Sequence, residues 1–512
     1  MRNIRFYETD AAFKAYEQGA GGDGNSIKTS IPGVSGAWDL GKTYFNPHDE
    51  AKLTHTVTVK YVSMFDDTEL TDSETIEIKY LSGVSQEFIL NSKLIDGYVA
   101  IDDKVIVHIP SDVEVKIPYK NTINSENPLN FNIISAGTIY WKAQNTAYTV
   151  SIEYKKNDGE WTSITSNTGA SAPSISVSAG DIVQFKGDNA TYAANTSQYN
   201  FFSGSTAKFK VEGNIMSLID SENFATATTL VSSNTFNNLF GYCTGLTSAE
   251  NLVLPATALT SYCYYLMFSG CTSLSTAPSI LPATTLSNGC YVRMFENCTS
   301  LATAPELPAT TLATSCYSSM FSGCTSLTTA PELPATTLAY GCYSDMFWGC
   351  TSLTTAPELP ATTLAGNCYQ YMFSGCTSLT SAPSILPATT LVSNCYNGMF
   401  LGCTSLTTAP ELPATTLTEG CYGGMFGGCI SLTKAPELLA TTLKGSCYRR
   451  MFWGCTNLNY IKCLATDILA GSCTADWVYG VASSGTFVKD AYMSSWATGN
   501  SGIPTNWTVQ DA

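Results

Sequence analysis

The chain has 512 residues, 44% of them hydrophobic and only 13% charged, and its formal net charge is −16. A chain this acidic repels phosphate backbones and anionic lipid surfaces, so we expect no nucleic-acid partner, and the lack of a long apolar stretch predicts no membrane insertion. The simpler role of the charge is solubility, and the length predicts three or four domains.

The first 50 residues predict an attachment segment rather than a packed domain. A glycine-rich linker at 19–24 precedes Ile-Pro-Gly-Val-Ser-Gly at 31–36 and Gly-Lys-Thr-Tyr-Phe-Asn at 41–46. This short arrangement resembles the opening segment of fibre and decoration proteins in the virions of Bacteroidales phages. The resemblance implies that residues 1–50 bind a capsid or tail protein of a virion.

No secretory signal is expected at the N-terminus, because Glu8, Asp10 and Glu17 interrupt the apolar core that such a signal needs. No window approaches about 18 consecutive apolar residues, so no membrane-spanning helix is expected either. We therefore expect the chain to be released without a standard export signal, as virion proteins are when the host lyses.

Residues 51–122 predict a small β domain. Apolar and polar residues alternate there in four runs, which is the pattern of half-buried strands. These runs are 57–61, 76–80, 105–109 and 113–117. The layout resembles a MucBP-type β-grasp module, a domain found in surface adhesins, and the plainer alternative is a generic spacer.

Residues 123–219 predict a second β domain with a β-sandwich-like architecture. Apolar residues alternate with polar ones over 148–154, and Asn-Asp-Gly at 157–159 predicts the turn of a hairpin. A further stretch of the same kind covers 175–185. Several short strands of this type favour two packed sheets.

A repeat of 26 residues, occasionally 27, extends from about residue 241 to residue 455. Within one unit, β-branched residues predict a short strand over 326–330, which the following prolines end. The later segment Cys-Tyr-x-x-Met-Phe-x-Gly predicts one or two helical turns. Cys342, Met346 and Phe347 are expected to face inward, with Gly349 as a left-handed C-cap. A single unit cannot bury its apolar side, so stacked units must share one core.

The unit resembles the BspA-type leucine-rich repeat of bacterial surface proteins. Units of that family run Ala-Phe-x-x-Cys-x-x-Leu and continue into a proline-containing stretch, and Met-Phe-Ser-Gly-Cys-Thr-Ser-Leu at 320–327 fits this pattern. A second cysteine, Cys342 and its equivalents, departs from the family, which has an aliphatic residue there. The resemblance implies a leucine-rich-repeat solenoid over 220–480.

Residues 481–512 abandon the repeat and predict a C-terminal cap over the last unit. The bulky residues suited to this are Trp496, Ile503, Pro504 and Trp507. The predicted fold class is therefore multi-domain and β-rich. Two small β domains, one β-grasp-like and one β-sandwich-like, are followed by a leucine-rich-repeat α/β solenoid with short helices.

All 19 cysteines follow residue 242, and two recur in each unit eight residues apart. The Cys-x7-Cys spacing does not match a metal site, and the three histidines, His48, His55 and His108, lie far away in sequence. Equivalent cysteines of adjacent units would lie about 5 Å apart, within reach of a disulfide. The plainer interpretation is two columns of buried free thiols that act as small apolar side chains.

The sequence contains no catalytic motif, so we expect no enzyme activity, no cofactor and no metal site. It has no glycine-rich phosphate loop, no zinc-protease motif and no serine-nucleophile elbow. The acids of the repeats recur at one equivalent position rather than as a close pair, which favours a solvated ladder. These acids are Glu306, Glu332, Glu358 and Glu411.

A candidate ligand-binding face follows from comparing the units with one another. The two residues after Cys-Tyr, the residue before the recurring Gly and the residue two before Cys vary freely. Packed interiors do not tolerate such changes in volume, so we expect these positions to be exposed. Aromatic and arginine side chains there are suited to anchoring a partner, and the alternative is that exposed positions simply drift. The candidate residues are Tyr265, Arg293, Tyr340, Trp348, Tyr371, Leu401, Arg450 and Trp453.

Together these features favour a phage virion protein, either a head or tail fibre or a decoration protein, located on the virion surface. Its solenoid would bind host-surface or mucus glycans or proteins. The alternative is a BspA-like adhesin on the bacterial cell surface, which would need an export signal or a lipoprotein cysteine. An enzyme on a β scaffold is disfavoured. A homo-trimer would suit a fibre, although no coiled-coil heptad supports it.

Overall fold

The computed structural model describes residues 52–63, 69–81, 87–91, 98–100, 104–108, 113–121 and 123–512, the last range without 205, 494 and 495. Over these residues the protein is β-rich, with several sheets and almost no helix. It divides into two compact units, one ending at Ser125 and the other running from Glu126 to Ala512. The predicted attachment segment, residues 1–50, lies outside the described residues.

Six strands are described in the first unit. They are β1 (Lys52–Ser63), β2 (Glu69–Leu81), β3 (Glu87–Asn91), β4 (Tyr98–Ala100), β5 (Lys104–His108) and β6 (Val113–Asn121). One sheet has the order β2-β1-β6-β4 with a parallel pair, β1 and β6, at its centre, and β3 pairs antiparallel with β5. The four predicted runs fall on β1, β2, β5 and β6, although Ile109 lies outside the described residues. The β-grasp assignment stays a prediction.

Two antiparallel sheets open the second unit, after the short helix α1 (Ile123–Glu126). Their strands are β7 (Asn130–Ser135), β8 (Gly137–Ala143), β9 (Ser151–Lys156), β10 (Thr162–Thr165), β11 (Ser174–Val177), β12 (Ile182–Lys186), β13 (Ala193–Asn195), β14 (Gln198–Gly204) and β15 (Lys208–Asn214). The orders are β10-β9-β12-β7-β15 and β11-β8-β14-β13. The predicted hairpin is confirmed, because β9 and β10 pair antiparallel across a turn in which Asn157 has a φ of 54°.

Aromatic side chains join these two sheets. Phe131 on β7 lies 4.7 Å from Phe185 and 4.9 Å from Phe202, measured between ring centroids, and Phe202 belongs to the opposite sheet. Trp141 on β8 is buried, and its indole N–H donates a hydrogen bond to the carbonyl of Val150 at 2.9 Å. The buried faces of the two sheets therefore share one core.

The strand pairing continues from these sheets into the repeats. Strand β15 pairs in parallel with β16 (Leu246–Ser248) and β17 (Leu252–Val253), which belong to the first repeat unit. Phe202 and Phe240 are stacked with centroids 5.7 Å apart, so the core is continuous across residue 219. The first repeat unit thus packs on a sheet edge and an apolar surface of the two-sheet region.

Successive repeat units are held in parallel register by single bridges. Thr329 pairs with Thr303 of the preceding unit and with Thr355 of the following unit. The strand predicted over 326–330 is therefore reduced to a one-residue bridge. Proline explains this shortness, since Pro331 and Pro334 lack the N–H that a longer ladder needs.

The predicted short helices are wrong, because the Cys-Tyr-x-x-Met-Phe-x-Gly segments form chains of tight turns. Alternate N–H groups bond within the unit, as from Met346 to the carbonyl of Tyr343 at 3.3 Å. The intervening N–H groups bond to the next unit, as from Phe347 to the carbonyl of Met372 at 2.9 Å. Every second peptide group thus contributes to stacking, which an α-helix would not allow because its own N–H groups bond four residues back.

A positive φ recurs every fourth residue along this chain of turns. In the unit containing Cys342 the values are 57° for Gly341, 55° for Asp345 and 70° for Gly349. The left-handed conformation predicted for Gly349 is confirmed, but it closes a turn rather than capping a helix. The four-residue rhythm places two residues inward and two outward in alternation, so Tyr343 is buried together with Cys342, Met346 and Phe347.

The interior consists of columns of identical side chains. Phe321 and Phe347 stack with centroids 5.6 Å apart and an angle of 7° between ring planes, and Tyr317 and Tyr343 do so at 5.8 Å and 2°. The cysteine that follows the recurring Gly in each unit donates its S–H to a phenylalanine carbonyl of the preceding unit, as Cys350 does to Phe321 at 3.1 Å. Each interior side chain therefore packs against the same residue type in the units before and after it.

The C-terminal residues cover the last repeat unit. Strands β18 (Tyr460–Cys463), β19 (Thr486–Lys489) and β20 (Thr508–Asp511) form a parallel sheet. Trp477 ends both ring columns, since its centroid lies 6.1 Å from that of Tyr448 and 6.2 Å from that of Phe452. The residues expected to form the cap are all buried, namely Trp496, Ile503, Pro504 and Trp507.

Candidate ligand-binding face

The outward-facing residues of the turn chains form one continuous surface. In each unit they are the two residues after Cys-Tyr and the residue before the recurring Gly, which we call the first, second and third outer positions. In the unit containing Cys342 these are Ser344, Asp345 and Trp348. Together with the position two before Cys, held there by Tyr340, they make up the variable face.

Each predicted face residue lies at this surface. Arg293, Tyr340, Trp348, Arg450 and Trp453 are exposed, and Trp348 and Trp453 expose 51% and 45% of their surface despite their size. The other three are half-buried against neighbouring units, and they are Tyr265, Tyr371 and Leu401.

The expectation that every variable position is exposed is wrong for some small residues. Ser269, Ser322 and Ser374 occupy the third outer position, yet each is buried. At Ser269 the hydroxyl lies 3.4 Å from a carboxylate oxygen of Glu296 in the next unit. Variable positions are therefore those at which side chains of different size are tolerated at the surface, and a small residue there lies below its larger neighbours.

Large side chains of the variable face lie over glycines of the following unit. A Cβ added to Gly398 would overlap the ring of Tyr371, and one added to Gly427 would lie 2.8 Å from a methyl group of Leu401. The sequence signal for this pairing is a bulky residue followed by glycine one repeat later. The predicted face rests on which positions vary between units, and that comparison does not consider which residue follows which along the stack.

The unit that begins at Cys421 has glycine at all three outer positions. Gly423, Gly424 and Gly427 form the floor of a groove, the glycine notch, with a volume of about 650 Å³. Tyr371 and Leu401 line it on the N-terminal side. On the C-terminal side the lining residues are Arg449, Arg450 and Trp453. The notch therefore brings together four of the eight predicted residues, while Arg449 and the glycines were missed.

Polar and charged groups surround the notch. Asn394, Asn397 and Glu419 also line it, and they supply amide and carboxylate groups. Arg450 lies 3.8 Å from a carboxylate oxygen of Asp476, measured from its Nε, and both side chains are about half exposed. Such a long, solvated ion pair contributes little to stability, which leaves the guanidinium accessible.

Four predicted residues lie outside the notch. Tyr265 contacts Tyr262 edge-on at 5.9 Å, in an exposed aromatic cluster beside the two-sheet region. The Tyr340 hydroxyl accepts a hydrogen bond from Asn367 at 2.8 Å, which fixes its ring along the surface. Arg293 pairs with Glu296 at 3.6 Å. Arg293 and Trp348 thus hold in other units the same outer positions that Arg450 and Trp453 hold beside the notch.

The cysteines beneath this face are buried in the interior of the repeats. All 19 are buried free thiols, which matches the plainer sequence interpretation and not the disulfide alternative. Burial raises the pKa of Cys316 and Cys324 to about 12 and that of Cys447 to about 11. Thiols in this state are protonated at neutral pH. The acidic ladder of Glu306, Glu332, Glu358 and Glu411 is exposed.

No known family model, curated protein or solved structure matches the chain. Among the residues that the structure describes, there is no helix with the length and apolar character to span a bilayer. No group of three or more His, Cys, Asp or Glu side chains in the same residues is arranged to hold a metal ion.

Proposed function

We propose that this protein is a structural and adhesive component of a phage virion, a fibre or decoration protein whose repeats form a BspA-type leucine-rich-repeat solenoid. The solenoid displays the variable face to host-surface or mucus glycans or proteins. Residues 1–50 attach the chain to a capsid or tail protein, on the strength of their resemblance to the opening segment of such virion proteins.

One observation carries the adhesive part of this proposal. Interior positions are occupied by the same Cys, Tyr, Met and Phe in nearly every unit, while the outer positions vary and include exposed Trp348, Trp453 and Arg450. Exposing large aromatic rings to water is unfavourable unless a partner covers them, and aromatic and arginine residues dominate binding energy at interfaces. The variation is therefore concentrated where a ligand would contact the protein.

A BspA-like adhesin of the bacterial cell surface is the second candidate function. The same repeat resemblance and the same exposed aromatic residues support it equally well. The two candidates differ in location, because a virion protein sediments with phage particles and a cell-surface adhesin stays with the envelope.

Mass spectrometry of purified phage particles, combined with immunogold electron microscopy using an antibody against the repeats, tests the proposal. We expect peptides of this chain in the particles and gold label on the capsid or tail. Label confined to bacterial envelopes would overturn the virion assignment and favour the cell-surface adhesin.

A further inference from the structure

We infer that the glycine notch binds an acidic saccharide, an inference that deepens the proposed function and rests on it. The notch is a recess of the variable face that lies between larger side chains of the neighbouring units. Gly423, Gly424 and Gly427 leave a volume of about 650 Å³ between the Tyr371 side and the Trp453 side. Sites of about 300–1,000 Å³ are typical for small ligands, so one or two sugar residues fit.

Charge complementarity points to an anionic ligand. The chain carries 41 acidic and 25 basic residues, yet two adjacent arginines, Arg449 and Arg450, line this groove. Arg449 has no ion-pair partner among the residues that the structure describes, and Arg450 has only the 3.8 Å contact with Asp476. Guanidinium groups bind carboxylate and sulfate oxygens through paired hydrogen bonds, so an anionic substituent on the ligand has a matching site.

The remaining lining fits the hydroxyl groups and ring faces of a sugar. Asn394 and Asn397 offer both donors and acceptors, and Glu419 offers acceptors only. Trp453 lines the notch with 45% of its surface exposed, and its ring lies nearly parallel to that of Tyr479, with centroids 6.4 Å apart. A pyranose has one apolar face and a polar rim, which matches an aromatic wall beside a polar floor.

An extended peptide fits the notch less well. Binding by strand addition needs free backbone N–H and C=O groups, and the N–H groups of the floor are already bonded, some within the unit and others to the next unit. The N–H of Gly398 donates to the carbonyl of Gly423 at 2.7 Å, and the N–H of Gly424 donates to the carbonyl of Arg449 at 2.7 Å. A nucleic acid is also anionic, but the net charge of −16 opposes such a long polyanion.

Isothermal titration calorimetry on the full chain tests the inference with paired probes. One pair is a uronic-acid oligosaccharide and its carboxyl-reduced form, and the other is a sulfated oligosaccharide and its desulfated form. We expect one acidic member to bind about tenfold or more tightly than its neutral partner, with the difference shrinking as salt screens the charges. The pair that responds identifies the anion as carboxylate or sulfate.

Position 424 offers a matched pair of variants. Asp and Ser both occur at this second outer position in other units with the same positive φ, as Asp345 at 55° and Ser319 at 54°, so Gly424→Asp and Gly424→Ser should fold equally well. Gly424→Asp places a carboxylate beside Arg450 and should weaken acidic binding about tenfold, while Gly424→Ser should change it less than about threefold. Arg449→Gln with Arg450→Gln should abolish the preference for the acidic probe, and Arg293→Gln should leave it intact.

Equal affinity for the acidic and neutral probes, tighter binding of a poly-glutamate peptide, or an equal effect of Arg293→Gln would each overturn the inference. If no saccharide binds but the chain still attaches to cells through Trp348, the notch assignment fails while the proposed adhesive function stands. If acidic saccharide binds as expected but the chain is absent from purified particles, the virion assignment fails while the notch assignment stands.

Discussion

The interior and the variable face of the repeats follow opposite rules. Inside, the rings of Phe321, Phe347 and Phe373 stack in one column, and neighbouring ring planes differ by only 4–7°. Outside, the third outer position changes from Ser322 to Trp348 with no change in the fold around it. The difference teaches that stacking constrains the residue type at each inward position, because each inward side chain packs on the equivalent side chains of the adjacent units. Only the outer positions are then free to acquire a ligand.

Alkaline pH should have the largest effect on the interior. Burial raises the pKa of the cysteines, to about 12 for Cys324, while a thiol of the unfolded chain ionises near its ordinary pKa of 9.0. Above pH 9 the unfolded chain loses protons that the folded chain retains, so stability is complete below pH 9 and falls as the pH rises toward about 12. Each such thiol contributes about 1.4 kcal/mol per pH unit in this window.

Thermal melts between pH 7 and pH 10.5, followed by circular dichroism in the presence of reductant, measure this loss. The expected result is a constant melting temperature up to about pH 9 and a steep decline above it. A flat profile through pH 10.5 would contradict the burial of protonated thiols.

Interior truncation should have the next largest effect. Phe347→Ala removes a buried ring that stacks at 5.6 Å on Phe321 and at 5.5 Å on Phe373. The cavity and the lost contacts should cost about 3–5 kcal/mol of unfolding free energy. Tyr340→Ala in the same unit is the control and should cost less than about 0.5 kcal/mol, because Tyr340 is 55% exposed. Equal losses in urea titrations of the two variants would erase the distinction between interior and face.

A smaller effect is expected at the glycine that closes each turn chain. Gly375 has a φ of 76°, which costs an L-residue about 1–2 kcal/mol. Gly375→Ala should therefore be destabilised by about that amount. Gly375→Asn should lose less, since Asn297 holds the equivalent position in another unit with a φ of 58° and asparagine tolerates this conformation. Similar denaturation midpoints for the two variants would argue that backbone strain does not govern this position.

The sequence predicted much of the interior because the repeat is nearly perfect. A 26-residue period requires stacked units, and the recurring Cys342, Met346 and Phe347 could be assigned to the core without knowledge of the backbone. Four of the six strands described before residue 122, namely β1, β2, β5 and β6, and the hairpin around Asn157 were also predicted. Alternation and turn residues are local signals, and these segments form local structure.

The chain of turns was not predicted, because its spacing imitates a helix. Residues at i, i+4 and i+5 lie on one face of a helix, and they also lie inward in a four-residue rhythm of turns. The distinguishing signal is strict periodicity of four, with Cys342, Tyr343, Met346, Phe347 and Cys350 all inward. In a helix, residues spaced by four would rotate gradually away from the buried face, since a helix has 3.6 residues per turn.

The glycine notch could not be predicted from any unit taken alone. It exists because the unit beginning at Cys421 has small residues where its neighbours have Leu401 and Trp453. The depth of such a groove depends on the difference in side-chain size between adjacent units, so it can be recognised only when the stacking of the units is known. The exposed position of Trp453, by contrast, followed from variation alone.

The smallest effect on stability and the largest effect on function should coincide in one variant, Trp348→Ala with Trp453→Ala. Both rings lie at the third outer position and are about half exposed, so their removal should shift the melting temperature of the full chain by no more than about 2 °C. The most direct test is attachment of this double variant to host cells or mucus, measured beside the unaltered chain at equal concentration. Loss of attachment by tenfold or more with an unchanged melting curve is the result we predict. Unchanged attachment would contradict the assignment of the variable face as the binding surface.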